Sequence, residues 1–312
     1  MNLIAFDTGG TKTDAVLFTE TGKVLRRLVL PGANPLDVGF DEACRRFLSA
    51  IDQLRNGIPG DVASIYGAVA CNEYFGDRIA RRLAEALPGP RIRIESDGPC
   101  LISGMLGHAD GACLICGTGA ALIIRQGEDV AHIGGWGYLI DSCGSGFILG
   151  KKAILAAVRE ADGRGKKTLL TQLLAEKCGE PVIDHFEALY QRGRPYIASM
   201  AETVFTARKL GDDAAGEIFD GCVRDLAELV NTAARRFTGE FPLVLNGGVF
   251  RHFPEYAQAL AAQASPQARF ILADVPPVYG GAVEAMHDMG LACGSAFREW
   301  FMQGYSIEKS DL

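Results

Sequence analysis

One pattern occurs twice in this chain, about 110 residues apart, and it narrows the folds open to it. Leu3–Phe6 reads as an apolar strand running into the tight turn Asp7-Thr8-Gly9-Gly10-Thr11. The alternating segment Lys12–Thr19 follows as a second strand, and Thr21-Gly22 turns it into a third, Lys23–Leu30. From Ala112 the order returns. A short apolar strand meets Cys116-Gly117-Thr118-Gly119, then come strand Ala120–Ile124, polar turn Gln126-Gly127-Glu128 and strand Asp129–Ile133. Such a repeat predicts two related domains, each opening with a three-strand meander whose first turn carries glycine and hydroxyls.

Elsewhere strand and helix signals alternate, which predicts an α/β protein, and 312 residues suit two domains. Leu36–Leu54 has apolar residues at helical spacing, and strand Ser64–Ala70, helix Phe75–Leu87 and strand Arg91–Glu95 follow. Ser96-Asp97-Gly98 reads as a turn before the helix Pro99–Gly107. After Ser145 the chain is largely helical: Gly146–Glu160, Thr168–Cys178, Tyr196–Lys209 and Asp213–Phe237. Phe241–Leu245 is a strand, Asn246-Gly247-Gly248 a turn, Pro254–Ala264 a helix and Arg269–Ala273 a strand, and Tyr279-Gly280-Gly281 opens the last helix.

Hydrophobic residues make up 48% and charged residues 22%, enough for a sizeable core. No apolar run is long enough to span a bilayer, and the N-terminus lacks a basic region followed by an apolar one, so a cytoplasmic protein without membrane partners is expected. The net charge of −7 disfavours nucleic acid as a partner; a small anion must be gripped locally, by glycine backbone or one or two cations. The nine cysteines have no framework spacing and read as reduced thiols. Cys113 and Cys116, three apart on an apolar strand, point to opposite faces and make a poor metal pair. Whether two copies associate stays open.

Glycine turns between strands let backbone N–H groups approach an anion without a Cβ in the way, and two at matching places suit a polyphosphate. The familiar phosphate motifs fail. Gly150-Lys151 lacks the glycine at 145 and the hydroxyl at 152 of a Walker A loop. Gly117-Thr118-Gly119 has Leu122 where a dinucleotide fingerprint needs glycine, and a strand follows it. Cys143-Gly144-Ser145-Gly146 is not a nucleophile elbow, and five scattered histidines give no zinc cluster.

Five motifs in order carry a family resemblance across essentially the whole chain. Ile4-Ala-Phe-Asp-Thr-Gly-Gly-Thr-Lys-Thr-Asp14 resembles the first phosphate motif of the superfamily of sugar kinases, actin and heat-shock chaperone ATPases, and Leu114-Ile-Cys-Gly-Thr-Gly-Ala120 the second. Val244-Leu-Asn-Gly-Gly-Val-Phe250 is similar to its adenosine motif, and Tyr279-Gly-Gly-Ala282 to the glycine turn that follows. Gly134-Gly-Trp-Gly137 followed by Gly144-Ser-Gly146 resembles the BadF/BadG/BcrA/BcrD-type ATPases and, among them, the N-acetylglucosamine kinases. The resemblance implies two ribonuclease H-like (actin-like ATPase) domains flanking a nucleotide cleft. They are expected at 1–111 and 112–289, with a C-terminal helix from about 290 to 312 packing back on the first.

It also implies transfer of the γ-phosphoryl group of ATP to a sugar hydroxyl. Asp7 would hold Mg2+ through water. Gly9, Gly10, Thr11 and Lys12 would meet the phosphates on one side, and Gly117, Thr118 and Gly119 on the other. Gly247, Gly248, Gly280 and Gly281 would let the adenosine lie against backbone. Asp97 would be the general base, against the plainer reading that it caps a helix. Asn34, Gly135 and Trp136 would face the sugar, with Thr118 and Asp97 beside them; a core tryptophan is the alternative for Trp136. At 142–145 this chain has Ser-Cys-Gly-Ser where N-acetylglucosamine kinases carry Asp-Glu-Gly-Ser, so Asp141 becomes the acid to replace the lost contact. The implied acceptor is N-acetylglucosamine or N-acetylmuramic acid. Two other readings stay open: an ATPase that activates a 2-hydroxyacyl-CoA dehydratase or benzoyl-CoA reductase through a cysteine-held iron–sulfur cluster, and a non-catalytic nucleotide-binding regulator.

Overall fold

The computed structural model describes residues 1–9, 12–69 and 73–307. Strands β1 (Asn2–Thr8), β2 (Lys12–Thr19) and β3 (Val24–Pro31) pair antiparallel in sequence order, with Asp7 opposite Asp14. Leu3 to Phe6 are fully buried on both faces, which is why this strand reads as an apolar run without alternation. Helix α1 (Pro35–Val38) is a single turn, and Gly39, at φ 85°, separates it from α2 (Phe40–Arg55). The expected helix Leu36–Leu54 is therefore two, broken where only glycine adopts the backbone easily. Strands β4 (Val62–Val69) and β5 (Arg91–Ser96), joined by α3 (Glu73–Ala86), add parallel to β1, and α4 (Asp97–Leu106) follows without a separate turn. The sheet order is β3-β2-β1-β4-β5.

The second run opens with β6 (Gly111–Cys116), β7 (Ala120–Gln126) and β8 (Asp129–Ile133). Helices α5 (Gly146–Ala161), α6 (Leu169–Cys178), α7 (Phe186–Ser199), α8 (Ala201–Lys209) and α9 (Asp213–Ala234) follow. Then come β9 (Phe241–Asn246), α10 (Gly248–His252), α11 (Pro254–Gln263) and β10 (Ala268–Leu272). The sheet order is β10-β9-β6-β7-β8, with β6, β9 and β10 parallel. Read from the meander edge, 8-7-6-9-10 repeats 3-2-1-4-5. The sequence repeat is a repeat of sheet topology.

The chain ends in α12 (Pro277–Asp288) and α13 (Ser295–Ile307). Two compact units result: residues 1–110 with Arg125–Gly127 and everything from Ala273 onward, and Gly111–Ile124 with Glu128–Leu272. The chain thus rejoins its first unit at Ala273 rather than near 290, and α12 does not belong with 112–289 as expected. The cause is close packing: a Cβ on Gly280 would lie 1.8 Å from the Cys100 carbonyl oxygen of α4, so the two helix backbones touch. Glu284 of α12, fully buried, pairs with Arg93 and Arg125 at 2.5 Å each and accepts from Ser103. Burial alone would raise its carboxyl; Arg125 and Ser103 outweigh that and hold it at about 2.

Each unit has its own core. In the first, Ile4, Phe6, Leu17, Phe47, Ile51 and Leu83 meet on one side, and Phe18 stacks edge-on against Phe297 and Phe301 of α13. In the second, Leu114, Leu122, Leu149, Val204 and Leu245 are fully or almost fully buried between sheet and helices. Among the described residues, no helix is long and apolar enough to cross a membrane.

Candidate functional site

In the first unit, the parallel strands bring their carboxyl ends to one level. Asp7 is in register with Ala68, and Ala68 with Glu95, so Asp97 begins α4 just past the same edge. That edge is where open parallel sheets bind ligands. Asp97 is the first helical residue, not part of a turn before the helix, with Ser96 as N-cap; the helix N-terminus favours its negative charge. Burial raises the carboxyl of Asp7 to about 7, the nearby charges of Asp97 and Asp14 add to the rise, and Lys12 opposes it. Lys12 is exposed at the start of β2, and its carbonyl accepts from the Gly9 amide at 3.0 Å. Gly10 and Thr11 lie outside the described residues.

Asp14, missed as a site residue by sequence reasoning, is almost fully buried beside Asp7. Arg27 grips it with two hydrogen bonds, Nε to Oδ1 at 2.9 Å and Nη2 to Oδ2 at 2.7 Å, and the Tyr305 hydroxyl donates to Oδ2 at 2.7 Å. The Arg27 guanidinium also lies 3.8 Å from the Tyr305 ring centroid. A signal did exist: an aspartate in the buried run Thr13–Phe18 needs a partner. Asn34 is buried, and its side-chain oxygen accepts from Leu36 N at 2.9 Å, capping α1.

In the second unit, Gly117, Thr118 and Gly119 join β6 to β7. The Gly117 amide donates to the Gly119 carbonyl at 2.8 Å, closing the turn. The first amides of α5 fasten it, Gly146 N to Gly117 O at 2.8 Å and Phe147 N to Thr118 O at 3.2 Å. Ser145 caps α5 and bonds Ser142, hydroxyl to hydroxyl, at 2.9 Å. Gly9 and Gly117 thus spend their amides on turn geometry, and the N-terminus of α5 is occupied by the turn itself.

The loop 134–141 packs by backbone. A Cβ on Gly135, at φ 73°, would fall 2.5 Å from Ala121 Cβ. Trp136 is 67% exposed and contacts His132 edge-on, so it is not a core tryptophan. Asp141 closes the loop through its amide to Gly137 O at 2.8 Å, and its Oδ1 accepts from the Cys143 thiol at 2.8 Å. Burial, with that bond and the Asp141 charge, pushes Cys143 up to about 12. Gly247, at φ 114°, ends β9 so close to β6 that a Cβ would lie 2.2 Å from Cys116 O; Gly248 then begins α10. Gly280 and Gly281 are buried in the first unit, where their size serves packing against Cys100, Tyr66 and Ala5.

No group of three or more His, Cys, Asp or Glu among the described residues forms a cation cage. The donors suit Mg2+ in another way: one or two carboxylates plus substrate phosphates and water are its usual ligands. A divalent cation at Asp7 would also relieve the repulsion among three neighbouring carboxylates.

Comparison with known proteins agrees with this arrangement. Residues 6–285 match the BadF/BadG/BcrA/BcrD ATPase family. An N-acetyl-D-glucosamine kinase of Dictyostelium discoideum is 25% identical over 310 residues, 91% of this chain and 97% of that protein. An N-acetylmuramic acid/N-acetylglucosamine kinase of Clostridium acetobutylicum is 29% identical over 237 residues, 72% of this chain and 76% of that protein. Among solved structures, a candidate N-acetylglucosamine kinase from Chromobacterium violaceum superposes with a TM-score of 0.72 at 23% identity, covering 91% of this chain and 98% of its own. That likeness establishes the fold, two actin-like ATPase domains.

Proposed function

The chain is a member of the BadF/BadG/BcrA/BcrD ATPase family, and from that premise we propose that it is an ATP-dependent kinase acting on a hydroxyl of an N-acetylated amino sugar, N-acetylglucosamine or N-acetylmuramic acid. The observation that carries the reading is the pair Asp7 and Asp97 at the carboxyl ends of β1 and β5, close enough for one charge to perturb the other. Phosphoryl transfer asks little covalent chemistry of a protein; it needs positioning, charge stabilisation and a base.

Asp97 takes the proton from the attacking hydroxyl as the bond between the γ-phosphorus and the bridging oxygen breaks, leaving ADP and a sugar phosphate. Asp7 would hold Mg2+, which would neutralise charge developing on the phosphate oxygens. To the phosphates we assign Gly9, Gly10, Thr11 and Lys12, together with Gly117, Thr118 and Gly119. To the adenosine we assign Gly247, Gly248, Gly280 and Gly281. On the sugar side we assign Asn34, Gly135 and Trp136, with Asp141 offering its second carboxylate oxygen. We place the enzyme in the cytoplasm, where its thiols stay reduced: the eight described cysteines form no disulfide. None of those eight is exposed, which disfavours a cluster shared between subunits.

The test is ADP release from Mg2+-ATP over a panel of hexoses and N-acetylated amino sugars. Stimulation by an N-acetylated hexosamine is expected, and Asp97→Asn should cost about a hundred- to ten-thousandfold in kcat with the ATP KM little changed. If no sugar raises turnover, the kinase reading fails. Full activity in Asp97→Asn removes Asp97 as the base.

A further inference from the structure

We propose that Arg194 is a specificity-determining residue that pairs with a carboxylate on the acceptor, so that the preferred amino sugar is an anionic one. This deepens the kinase reading above and rests on it.

The sequence reads Arg194 as part of a connection; the structure builds it into the second unit with care. Helix α7 is broken at Gly193 (φ 64°, ψ −155°), and Pro195 follows. Arg194 begins the helical segment that resumes after the break, and its guanidinium carbon stands 4.9 Å from the centroid of the Tyr138 ring. Phe147, at the start of α5, packs edge-on against that same ring, 5.3 Å away at 78°, so the platform is fixed from a second direction. The chain after the break is pinned as well. Gly150 of α5 meets α7 so closely that a Cβ there would lie 1.9 Å from Ile197 O.

A guanidinium that stacks by its face keeps its edge N–H groups for another partner. That edge reaches the site. Arg194 Nη2 and Ser142 Oγ each lie 3.8 Å from the point where a Cβ on Gly119 would stand. No carboxylate among the described residues forms an ion pair with Arg194. The nearest loop supplies no charge at 142 or 143, where serine and cysteine stand, and Asp141 has one oxygen on the Cys143 thiol. An always-charged, planar donor held in place without a counter-charge suits an oxyanion, which it can grip with two parallel bonds. Tyr138 belongs to the loop of Gly135 and Trp136, which faces the sugar in the proposed function. The oxyanion is therefore assigned to the acceptor and not to the nucleotide.

The experiment compares kcat/KM for N-acetylmuramic acid, which carries a carboxylate, with that for neutral N-acetylglucosamine, in wild type, Arg194→Gln and Arg194→Lys. The ATP KM is measured in parallel. The wild type should prefer the anionic sugar, and Arg194→Gln should lower the anionic-to-neutral ratio about tenfold or more, with Arg194→Lys recovering part of it. Arg194 is exposed, so thermal midpoints should stay within about 1 °C and loss of fold does not enter. An unchanged ratio in Arg194→Gln, with both sugars still turned over, overturns this inference alone. Equal loss with both sugars and a raised ATP KM also overturns it, reassigning Arg194 to the nucleotide phosphates. Absence of turnover with every sugar overturns the kinase reading, and this inference with it.

Discussion

Replacing Asp7 with asparagine should make the ligand-free protein more stable while removing its activity, and the size of the gain is set by pH. In the folded chain the Asp7 carboxyl is raised from 3.8 to about 7 by burial and by the charges of Asp97 and Asp14. The folded state therefore holds this proton more tightly than the unfolded chain, and stability falls as pH climbs from about 4 to about 7. Each pH unit in that window is worth about 1.4 kcal/mol, so the ionised carboxylate costs about 4 kcal/mol above pH 7 and about 1.6 kcal/mol at pH 5. Asparagine carries no charge to bury, but it keeps a polar amide there, so we expect a gain of about 2–4 kcal/mol at pH 8. At about 2 °C per kcal/mol for a chain of this size, the thermal midpoint should rise by about 4–8 °C. The assay is paired melts of wild type and Asp7→Asn in EDTA at pH 8 and pH 5, repeated with Mg2+-ATP. The gap should shrink at pH 5, and it should narrow when Mg2+-ATP stabilises the wild type alone. An Asp7→Asn variant that melts no higher than wild type at pH 8, or a gap that ignores pH, would refute the reasoning.

Three other substitutions separate stability from function. Glu284→Gln leaves Arg125, 3% exposed, without its anion and should cost about 3–5 kcal/mol by urea denaturation. Gly247→Ala places a methyl against Cys116 O at a backbone angle glycine alone adopts easily; a loss of at least about 2 kcal/mol is expected, and wild-type stability would show that the turn relaxes freely. Trp136→Ala, at a side chain 67% exposed, should change stability by less than about 0.5 kcal/mol yet raise the sugar KM about tenfold; a large drop in melting temperature with unchanged KM would return Trp136 to a structural role.

How far the sequence revealed this molecule depended on whether the determining contacts were local. The two meanders were legible because strands, polar turns and glycines follow one another within some thirty residues, and each turn is closed by its own backbone, Gly9 to Lys12 and Gly117 to Gly119. Asp7 stood out because it follows a strand that runs apolar up to it, whereas Asp97 follows the alternating strand Arg91–Ser96 and stood out by its place in the motif order. The membership of α12 was not. Nothing near Gly280 in sequence says that it touches Cys100, 180 positions away, and the charge network around Glu284 draws Arg125 from within the second meander. The helix read from Tyr196 begins at Phe186, because Gly193 and Pro195 mask a helix broken and resumed. Gly280 and Gly281, read from motif order as adenosine neighbours, have a sufficient packing reason in the first unit.

The repeat also explains why one unit carries the acid and the other does not. The two sheets share strand order, but the strand-end position that holds Asp7 before Thr8-Gly9 holds Ile115 before Cys116-Gly117. Glycine turns serve both units, whereas a buried carboxylate at both strand ends would incur its desolvation cost twice without a second proton or metal to use it. Confined to one unit, that cost is contained by neighbours. Asp14, directly across from Asp7, would raise it further were its own charge not met by Arg27 and Tyr305. Tyr305 lies on α13, 291 positions from Asp14, so the last helix is tied to the edge of the site, beyond its packing on Phe18. A C-terminal segment that returns to the first unit thus has a chemical reason to do so: it keeps the Asp14 charge satisfied, and leaves Asp7 as the carboxylate without such an internal partner's charge.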